Sequence, residues 1–276
     1  MSNLETLNKH NFRFNKAYGQ NFIFDTNFLD SIARGIVDKN TNVLEIGAGA
    51  GTLTKILAKY AKRVVSYEID TNLKPILNET LADSPNVQVV FQDVMKANMI
   101  DIENQLGSEY IMVANLPYYI TTPIIFKFLE EATKLKSMTI MVQLEVAERL
   151  VAKAGSKDYG AITPAIDYRA NAKIVKRVNR NMFTPAPNVD SAIVNIEFVK
   201  NKYDIKDTNV LDQTIKSAFA MRRKTLENNL KSTFGFNADT IHQILQFAGI
   251  KEKTRGETLD TQKLVDLANV ICSIKK

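Results

Sequence analysis

The chain has 276 residues, of which 45% are hydrophobic and 24% charged, which excludes a disordered protein and allows one large domain, alone or with a smaller one. Its single cysteine, Cys272, excludes an internal disulfide and a cysteine-rich zinc site, and its two distant histidines form no metal cluster, so no metal is expected. Residues 200–276 contain fourteen basic and nine acidic side chains and so supply most of the net charge of +6. This basic C-terminal part indicates either a polyanionic partner or a solvated helical surface.

Two features of the apolar pattern bear on location. The first residues, Met1 to Glu5, contain no apolar core of the kind that a secretory signal has. The most apolar stretch, 111–125, is interrupted by Pro117, Pro123 and polar residues, so no transmembrane helix is expected. The sequence therefore predicts a cytoplasmic protein without a membrane partner.

The N-terminal stretch from Lys9 to Phe28 mixes basic and aromatic residues. Within it, Gly19 marks a turn, and Asn21 offers an amide donor and an amide acceptor. This pattern favours a flap over a ligand site about as much as an arm that merely packs on the body of the protein.

A glycine-rich stretch, residues 42–51, follows a predicted helix over 28–37. Its apolar run reads as a buried strand, Gly47, Gly49 and Gly51 as a tight turn, and residues 52–58 as a helix. The spacing is G-x-G-x-G rather than the G-x-G-x-x-G of dinucleotide sites, and it suits a neutral or cationic nucleoside such as S-adenosylmethionine. A plain glycine-rich turn is the alternative.

Strands and helices then alternate along the chain. Strands are predicted at 63–67, 87–91, 111–114 and 138–142, and helices at 73–81, 124–131 and 144–152. This alternation indicates an α/β protein with a parallel, doubly wound sheet, in which ligands bind beyond the carboxyl ends of the strands. Gly47, Glu68, Asp93 and Asn115 each follow or end one of the successive strands, so they are expected at that edge.

Each of these positions has a use in nucleoside binding. Glu68 can accept hydrogen bonds from both ribose hydroxyls, and Asp93 can accept one from an adenine amino group. Taken singly, each is better explained as a helix cap or a solvated turn residue. Taken together with the glycine turn, they favour a nucleoside site.

The pentapeptide Asn115-Leu116-Pro117-Tyr118-Tyr119 carries the predicted chemistry. Asn115 at a strand end presents its side-chain oxygen, Pro117 stiffens the backbone so that the carbonyl of Leu116 points outward, and Tyr118 supplies an aromatic face. Two acceptors and an aromatic face suit methylation of an exocyclic amino group on a purine. This reaction needs no strong general base, because the rate gain would come from positioning the amino group and from electrostatic preorganisation. The alternative is an ordinary strand-to-loop turn.

Phe183 lies after a basic segment that contains Lys173, Lys176, Arg177 and Arg180. Pro185 and Pro187 indicate an extended loop, and residues 191–199 alternate as a strand. Aromatic and basic residues beside a site suit an unstacked base, while a core position for Phe183 is the alternative. After a polar linker, helices are predicted at 211–220, 225–232, 238–247 and 260–274.

The chain resembles the ribosomal RNA adenine N6-dimethyltransferase family over nearly its whole length, and within it the enzymes that act on small-subunit rRNA. The resemblance rests on five motifs in order: Gly19-Gln20-Asn21-Phe22, Glu45-Ile46-Gly47-Ala48-Gly49-Ala50-Gly51, Asn115-Leu116-Pro117-Tyr118, the segment 183–191 and Arg222-Arg223-Lys224-Thr225-Leu226. Asn15 and Ile23 stand where the family usually has a basic residue and a leucine.

The resemblance implies a class I S-adenosylmethionine methyltransferase domain, Rossmann-like with a mostly parallel seven-stranded sheet, in residues 1–200, and a helical RNA-binding domain in residues 201–276. It implies a monomer that transfers methyl groups from S-adenosylmethionine to two adjacent adenosines near the 3′ end of the small-subunit (16S) rRNA, in an immature ribosomal subunit. The alternatives are a methyltransferase acting on large-subunit rRNA, an assembly or transcription factor without catalysis, and a DNA adenine methyltransferase.

The resemblance also assigns roles to residues. The implied catalytic residues are Asn115, Leu116 and Tyr118, with Tyr118 and Phe183 stacking on the target base. The implied cofactor contacts are Asn21, Ile23, Gly47, Gly49, Glu68, Asp93 and Asn115, and the implied RNA contacts are Arg222, Arg223 and Lys224.

Overall fold

The structure, a computed structural model, describes residues 3–221 and 224–275, apart from the side chain of Lys16. The strands are β1 Phe22–Ile23, β2 Asn42–Ile46, β3 Arg63–Glu68, β4 Val87–Phe91, β5 Tyr110–Asn115, β6 Leu135–Gln143, β7 Ala170–Val178, β8 Phe183–Thr184 and β9 Ser191–Phe198. The helices are α1 Asn3–Lys9, α2 Thr26–Ala33, α3 Thr52–Tyr60, α4 Lys74–Thr80, α5 Met99–Leu106, α6 Thr121–Glu131, α7 Leu144–Leu150, α8 Ile162–Asp167, α9 Thr208–Ala218, α10 Leu226–Phe234, α11 Ala238–Phe247 and α12 Thr261–Ile274.

Seven strands form one sheet in the order β4-β3-β2-β5-β6-β9-β7. The pairs among β4, β3, β2, β5 and β6 are parallel, and β9 runs antiparallel to β6. The chain moves outward from β2 to β4 and then returns to the other side of β2 to form β5. The strand order therefore reverses between β2 and β5, and the carboxyl ends of these two strands mark the switch point where doubly wound sheets bind ligands.

Burial explains why the central strands form where the apolar runs predicted them. All five residues of β2 are buried, as parallel strands covered on both faces require. The helix predicted at 28–37 begins earlier, at Thr26, because the side chain of Asp25 caps it by accepting a hydrogen bond from the backbone N–H of Phe28. The predicted α/β class with a mostly parallel, seven-stranded sheet is confirmed.

The chain divides into two compact units. The first contains residues 3–147 and 173–197, and the second contains residues 148–172 and 198–275. The helices predicted after residue 201 are present in the second unit as α9 to α12. Residues 148–172 belong by their contacts to this helical unit, although the predicted boundary at residue 200 assigned them to the first domain.

The second unit has its own apolar core, to which α9, α10, α11 and α12 all contribute buried side chains such as Leu211, Leu230, Ile244 and Leu264. At its margin, the guanidinium of Arg169 pairs with the carboxylate of Asp212 at 2.7 Å. Helices with one apolar face each bury that face against one another, which is how a short all-α unit gains a core. An RNA-binding role for this unit stays a prediction.

Candidate active site

A cleft with about 690 Å³ of empty space opens at the carboxyl edge of the sheet. Its wall is formed by the glycine turn after β2, the ends of β3 and β5, the residues after β4 and part of the N-terminal arm. Eight of the predicted site residues line it: Asn21, Gly47, Gly49, Glu68, Asp93, Asn115, Leu116 and Tyr118. A cleft at this edge lies where doubly wound sheets bind their ligands.

The glycine turn forms a cradle at the floor of this cleft. Gly47 and Gly49 have φ angles of 83° and 54°, in the left-handed region that side chains disfavour. A Cβ atom on Gly49 would lie 2.9 Å from Cε1 of Phe22, closer than real contacts allow. The turn therefore needs glycine both for its conformation and for the close approach of the arm.

Glu68 at the end of β3 is buried, with 6% of its surface exposed. Its two carboxylate oxygens accept hydrogen bonds from backbone N–H groups: Oε2 from Gly49 at 2.9 Å and Oε1 from Asp70 at 2.8 Å. Desolvation raises the pKa of Glu68, and these two hydrogen bonds oppose that rise. Because each carboxylate oxygen has a second lone pair, Glu68 can still accept the two hydroxyls of a ribose.

Asn115 ends β5 with its amide orientation fixed. Its Nδ2 donates to the backbone carbonyl of Asn21 at 2.9 Å. Its Oδ1 has no partner among the described residues, so the amide presents an acceptor. The next residue, Leu116, donates its N–H to the carbonyl of Met141 at 3.1 Å, and its own carbonyl accepts no hydrogen bond within the described part of the chain.

Tyr118 lines the same cleft and is half-buried. Its hydroxyl lies 2.7 Å from Oγ of Ser191, the first residue of β9. Burial raises the pKa of the phenol, so the hydroxyl is protonated at neutral pH. Tyr118 therefore lines the same cleft as the two acceptors of Asn115 and Leu116, and the roles of these three residues stay predictions.

The arm lines one side of the cleft, a position that the flap alternative requires. Residues 18–22 line the cavity. Gln20 holds this segment in place, because its Nε2 donates to the carboxylate of Asp70 at 2.7 Å and its Oε1 accepts from the backbone N–H of Asn15 at 2.7 Å. Gln20 belongs to the motif Gly19-Gln20-Asn21-Phe22, but no local sequence pattern indicates that its side chain anchors the arm.

Two of the residues predicted to contact the cofactor or the target base lie outside the main cleft. Ile23 and Phe183 are paired across the short strands β1 and β8 and pack in one apolar cluster, where they are 5% and 3% exposed. Ile23 lines a neighbouring cavity of about 360 Å³, which shares Phe22, Gly47, Gly49 and Asn115 with the main cleft. Phe183 lines neither cavity.

The position of Phe183 favours the core alternative, because its side chain is buried in the apolar cluster that also contains Ile23. Its stacking role stays a prediction that this geometry does not support. Of the predicted RNA contacts, Arg222 and Arg223 lie outside the described residues, and Lys224 is exposed. Their contact with RNA also stays a prediction.

Comparison with known proteins decides the family. The sequence profile described as "Ribosomal RNA adenine dimethylase" matches residues 11–271. The chain belongs to this family. The predictions of an S-adenosylmethionine-dependent rRNA adenine dimethyltransferase and of its methyl donor are thereby confirmed.

Two relatives within the dimethylase family are similar over almost the full chain. Both are named ribosomal RNA small subunit methyltransferase A. The one from Clostridioides difficile is 45% identical over 271 residues, covering 97% of this chain and 94% of the relative. The one from Bacillus licheniformis is 44% identical over 273 residues, covering 96% and 94%.

Solved structures agree on the methyltransferase fold. A dimethyladenosine transferase from Plasmodium falciparum superposes with a TM-score of 0.71 at 24% identity, covering 89% of this chain and 95% of that one. The 23S rRNA methyltransferase ErmE superposes with a TM-score of 0.67 at 26% identity, covering 91% and 100%. The class I methyltransferase fold expected for the dimethylase family is confirmed.

No group of three or more His, Cys, Asp or Glu side chains among the described residues is placed to hold a metal ion. None of the helices that the structure describes combines the length and apolar character needed to span a bilayer.

Proposed function

We propose that this chain dimethylates N6 of two adjacent adenosines near the 3′ end of small-subunit ribosomal RNA. The proposal rests on two hydrogen-bond acceptors at the end of β5, Oδ1 of Asn115 and the carbonyl of Leu116, which have no partner among the described residues. Both residues line one cleft with Tyr118. The choice of subunit is supported by the names of the relatives that are 45% and 44% identical.

The residues present fit S-adenosylmethionine. The backbone of Gly47 is open to a ligand, because among the described residues only the carbonyl oxygen of Asn115, at 3.7 Å, lies near the position that a Cβ would take. Glu68 would accept the ribose hydroxyls, and Asp93 would accept the adenine amino group. Asn21 lines the same cleft, and Ile23 would contact the donor from the neighbouring cavity. When bound, the donor supplies an electrophilic methyl carbon on a sulfonium.

The acceptors of Asn115 and Leu116 would orient the target amino group. The lone pair of adenine N6 is delocalised into the ring, so the nitrogen is a weak nucleophile. Hydrogen bonds from both N–H groups to the two oxygens would turn the amino group and expose its lone pair, while the ring stacks on Tyr118. The bound donor would supply the methyl group and keep the electron pair of the S–CH₃ bond on sulfur, and the N6 proton would leave to water.

The second transfer imposes a condition on the same site. N6-methyladenine has one N–H group, so one of the two acceptors loses its partner. Asn115 also donates to Asn21, and that hydrogen bond keeps its amide in place when its own acceptor oxygen is not used. The site therefore retains its shape for the second methyl group.

The RNA itself would be held by basic side chains outside the cleft. Strand β7 presents exposed Lys173 and Lys176, and Arg180 follows it. The segment after Arg180 forms β8, which pairs with β1, and Phe22 of β1 lines the cleft. Arg222, Arg223 and Lys224 are proposed as further phosphate contacts. An immature subunit as substrate, a cytoplasmic location and a monomeric state belong to the proposal.

A second candidate substrate is large-subunit rRNA, which the 26% identity with the 23S rRNA methyltransferase ErmE favours. The two candidates are separated by incubating the protein and methyl-labelled cofactor with immature small subunits, large subunits and naked rRNA of each kind, then mapping the modified bases. Dimethyladenosine confined to the 3′ end of small-subunit rRNA is expected. Label confined to large-subunit rRNA would overturn the proposed substrate, and RNA binding without label would overturn catalysis.

A further inference from the structure

The hydroxyl groups of Ser191 and Tyr118 meet within the first unit. Their oxygen atoms are 2.7 Å apart, and Ser191 has no exposed surface. Ser191 is paired with Gln143 at the carboxyl end of β6, the strand whose Met141 is paired with Asn115. The serine thus lies at the same sheet edge as the catalytic strand end.

The backbone that carries Ser191 is anchored on both sides. On its C-terminal side it continues into β9, which pairs with β6 over seven residue pairs. On its N-terminal side, the carbonyl of Asp190 accepts from the N–H of Leu144 at 3.0 Å, and the carboxylate of Asp190 accepts from the N–H of Arg180 at 2.9 Å. A hydroxyl on such a support has little freedom to move.

We infer that Ser191 is a positioning residue, which holds the ring of Tyr118 in the plane on which the target adenine stacks. The inference rests on the proposed function of Tyr118. A tyrosine ring is set by two torsions, χ1 and χ2, and a hydrogen bond from its far end to a fixed oxygen restricts both. Active-site side chains need support of this kind, since a displacement of about 1 Å can cost a hundredfold in rate.

A different reading is that the pair only satisfies a buried hydroxyl, since buried polar groups are normally hydrogen-bonded. The two readings differ in what they affect. If Ser191 only satisfies a buried hydroxyl, its loss lowers the stability of the protein and leaves kcat unchanged. If Ser191 positions Tyr118, its loss lowers kcat, and it does so only while Tyr118 keeps its hydroxyl.

The test is a double-mutant cycle with Ser191→Ala, Tyr118→Phe and the double variant, assayed on immature small subunits. Each single variant is expected to lower kcat about tenfold, with KM for the RNA and affinity for the cofactor changed less than about twofold. The double variant should be no slower than either single one, because both substitutions remove the same hydrogen bond. Additive losses, or normal kcat in Ser191→Ala, would overturn the inference.

Asn195→Ala is the matched control. It removes another side-chain hydrogen bond between β9 and β6, from Nδ2 of Asn195 to Oγ1 of Thr139 at 3.1 Å, four residues further along the strand. The control should lose stability comparable to that of Ser191→Ala and keep its kcat. If Asn195→Ala lowered kcat as much as Ser191→Ala, any weakening of the β6–β9 pairing would reduce turnover, and the inference about Ser191 would be overturned.

A fluorine-labelled tyrosine placed only at position 118 gives a readout independent of substrate. Ring flipping measured by ¹⁹F NMR should be faster in Ser191→Ala than in the unsubstituted protein or in Asn195→Ala. Equal flipping rates would overturn the positioning role. If the unsubstituted protein transferred no methyl group to small-subunit rRNA, the proposed substrate would fail, and the flipping rates would still decide whether Ser191 restrains Tyr118.

Discussion

The side-chain amide of Asn115 donates from Nδ2 to the backbone carbonyl of Asn21 over 2.9 Å, which joins the end of β5 to the N-terminal arm across the cleft. Because this hydrogen bond occupies the donor end of the amide, Oδ1 is left as an acceptor. The arm therefore sets the direction in which Asn115 presents its oxygen, and the backbone of Asn21 achieves this without its side chain.

Replacement of Asn115 by alanine should lower kcat for methyl transfer severely. The variant loses one of the two acceptors for the amino group, and removal of one such preorganised group costs about 10²–10³ in kcat. Its melting temperature should change by only a few degrees, because the side chain is half-buried and outside the core. Labelled methyl transfer under single-turnover conditions measures the loss, and near-normal turnover would remove Asn115 from its proposed role.

Replacement of Glu68 by glutamine should weaken cofactor binding by about tenfold or more, as calorimetric titration with S-adenosylmethionine would measure. Both carboxylate oxygens accept from backbone N–H groups, those of Gly49 and Asp70. Glutamine has one acceptor oxygen, and its NH₂ group would face an N–H, so the glycine turn loses its anchor. Glu109→Gln, an exposed change in a residue paired with Lys136, should leave the affinity unchanged, and a similar loss there would contradict the explanation.

The interior strands were predictable because burial on two faces favours a continuous apolar run, as in residues Ile111 to Ala114 of β5. Strand β7 was not predicted, because lysine and arginine interrupt its apolar residues and most of its residues are exposed. Strand β4 lies at the opposite edge of the sheet and was predicted, because its residues are mostly apolar. The strands β1 and β8 have two residues each, too few for any periodicity.

The cleft residues were predictable for a related reason. Glu68, Asp93 and Asn115 follow or end parallel strands, whose carboxyl ends share one edge, so chain order alone brings them together. The contact between Ser191 and Tyr118 depends instead on an antiparallel register, which no local pattern reveals. The burial of Phe183 depends likewise on its pairing with β1.

Glu45 gives a prediction about stability and pH. Its side chain is fully buried, Oε2 accepts from Thr54 and Ser66, and Oε1 has no hydrogen-bond partner among the described residues. Desolvation raises its pKa from 4.5 to about 8, so the folded state binds a proton that the unfolded state releases in this range. The contribution of Glu45 to the free energy of unfolding therefore falls as pH rises from about 4.5 to 8.

Glu45→Gln removes this titration and keeps an oxygen that can accept from both hydroxyls. Relative to the unsubstituted protein, the variant should gain stability steadily between pH 5 and pH 8, by an amount on the order of a few kcal/mol. Denaturant unfolding at several pH values measures the difference. Two stability profiles that run parallel over this range would contradict a protonated Glu45, and Glu109→Gln again serves as the exposed control.

The basic surface of β7 predicts how RNA binding depends on salt. Lys173 and Lys176 are exposed, and Nζ of Lys176 lies 5.0 Å from the ring centroid of Phe28, so an aromatic face accompanies the charge. Each phosphate contact releases counterions, so replacing both lysines by glutamine should reduce the slope of log affinity against log salt by about 1–2. Cofactor affinity should not change, because neither lysine lines the cleft.

The matched control for this salt experiment is Lys55→Gln with Lys59→Gln, which removes the same charge from exposed positions on α3 in the same unit. Its salt slope should stay at the value of the unsubstituted protein. A different explanation for the β7 lysines is that they prevent strand-to-strand association at the edge of the sheet. In that case the β7 variant would aggregate and its salt slope would be unchanged, which would reject the proposed RNA contact. An equal decrease of the slope in both double variants would also reject it.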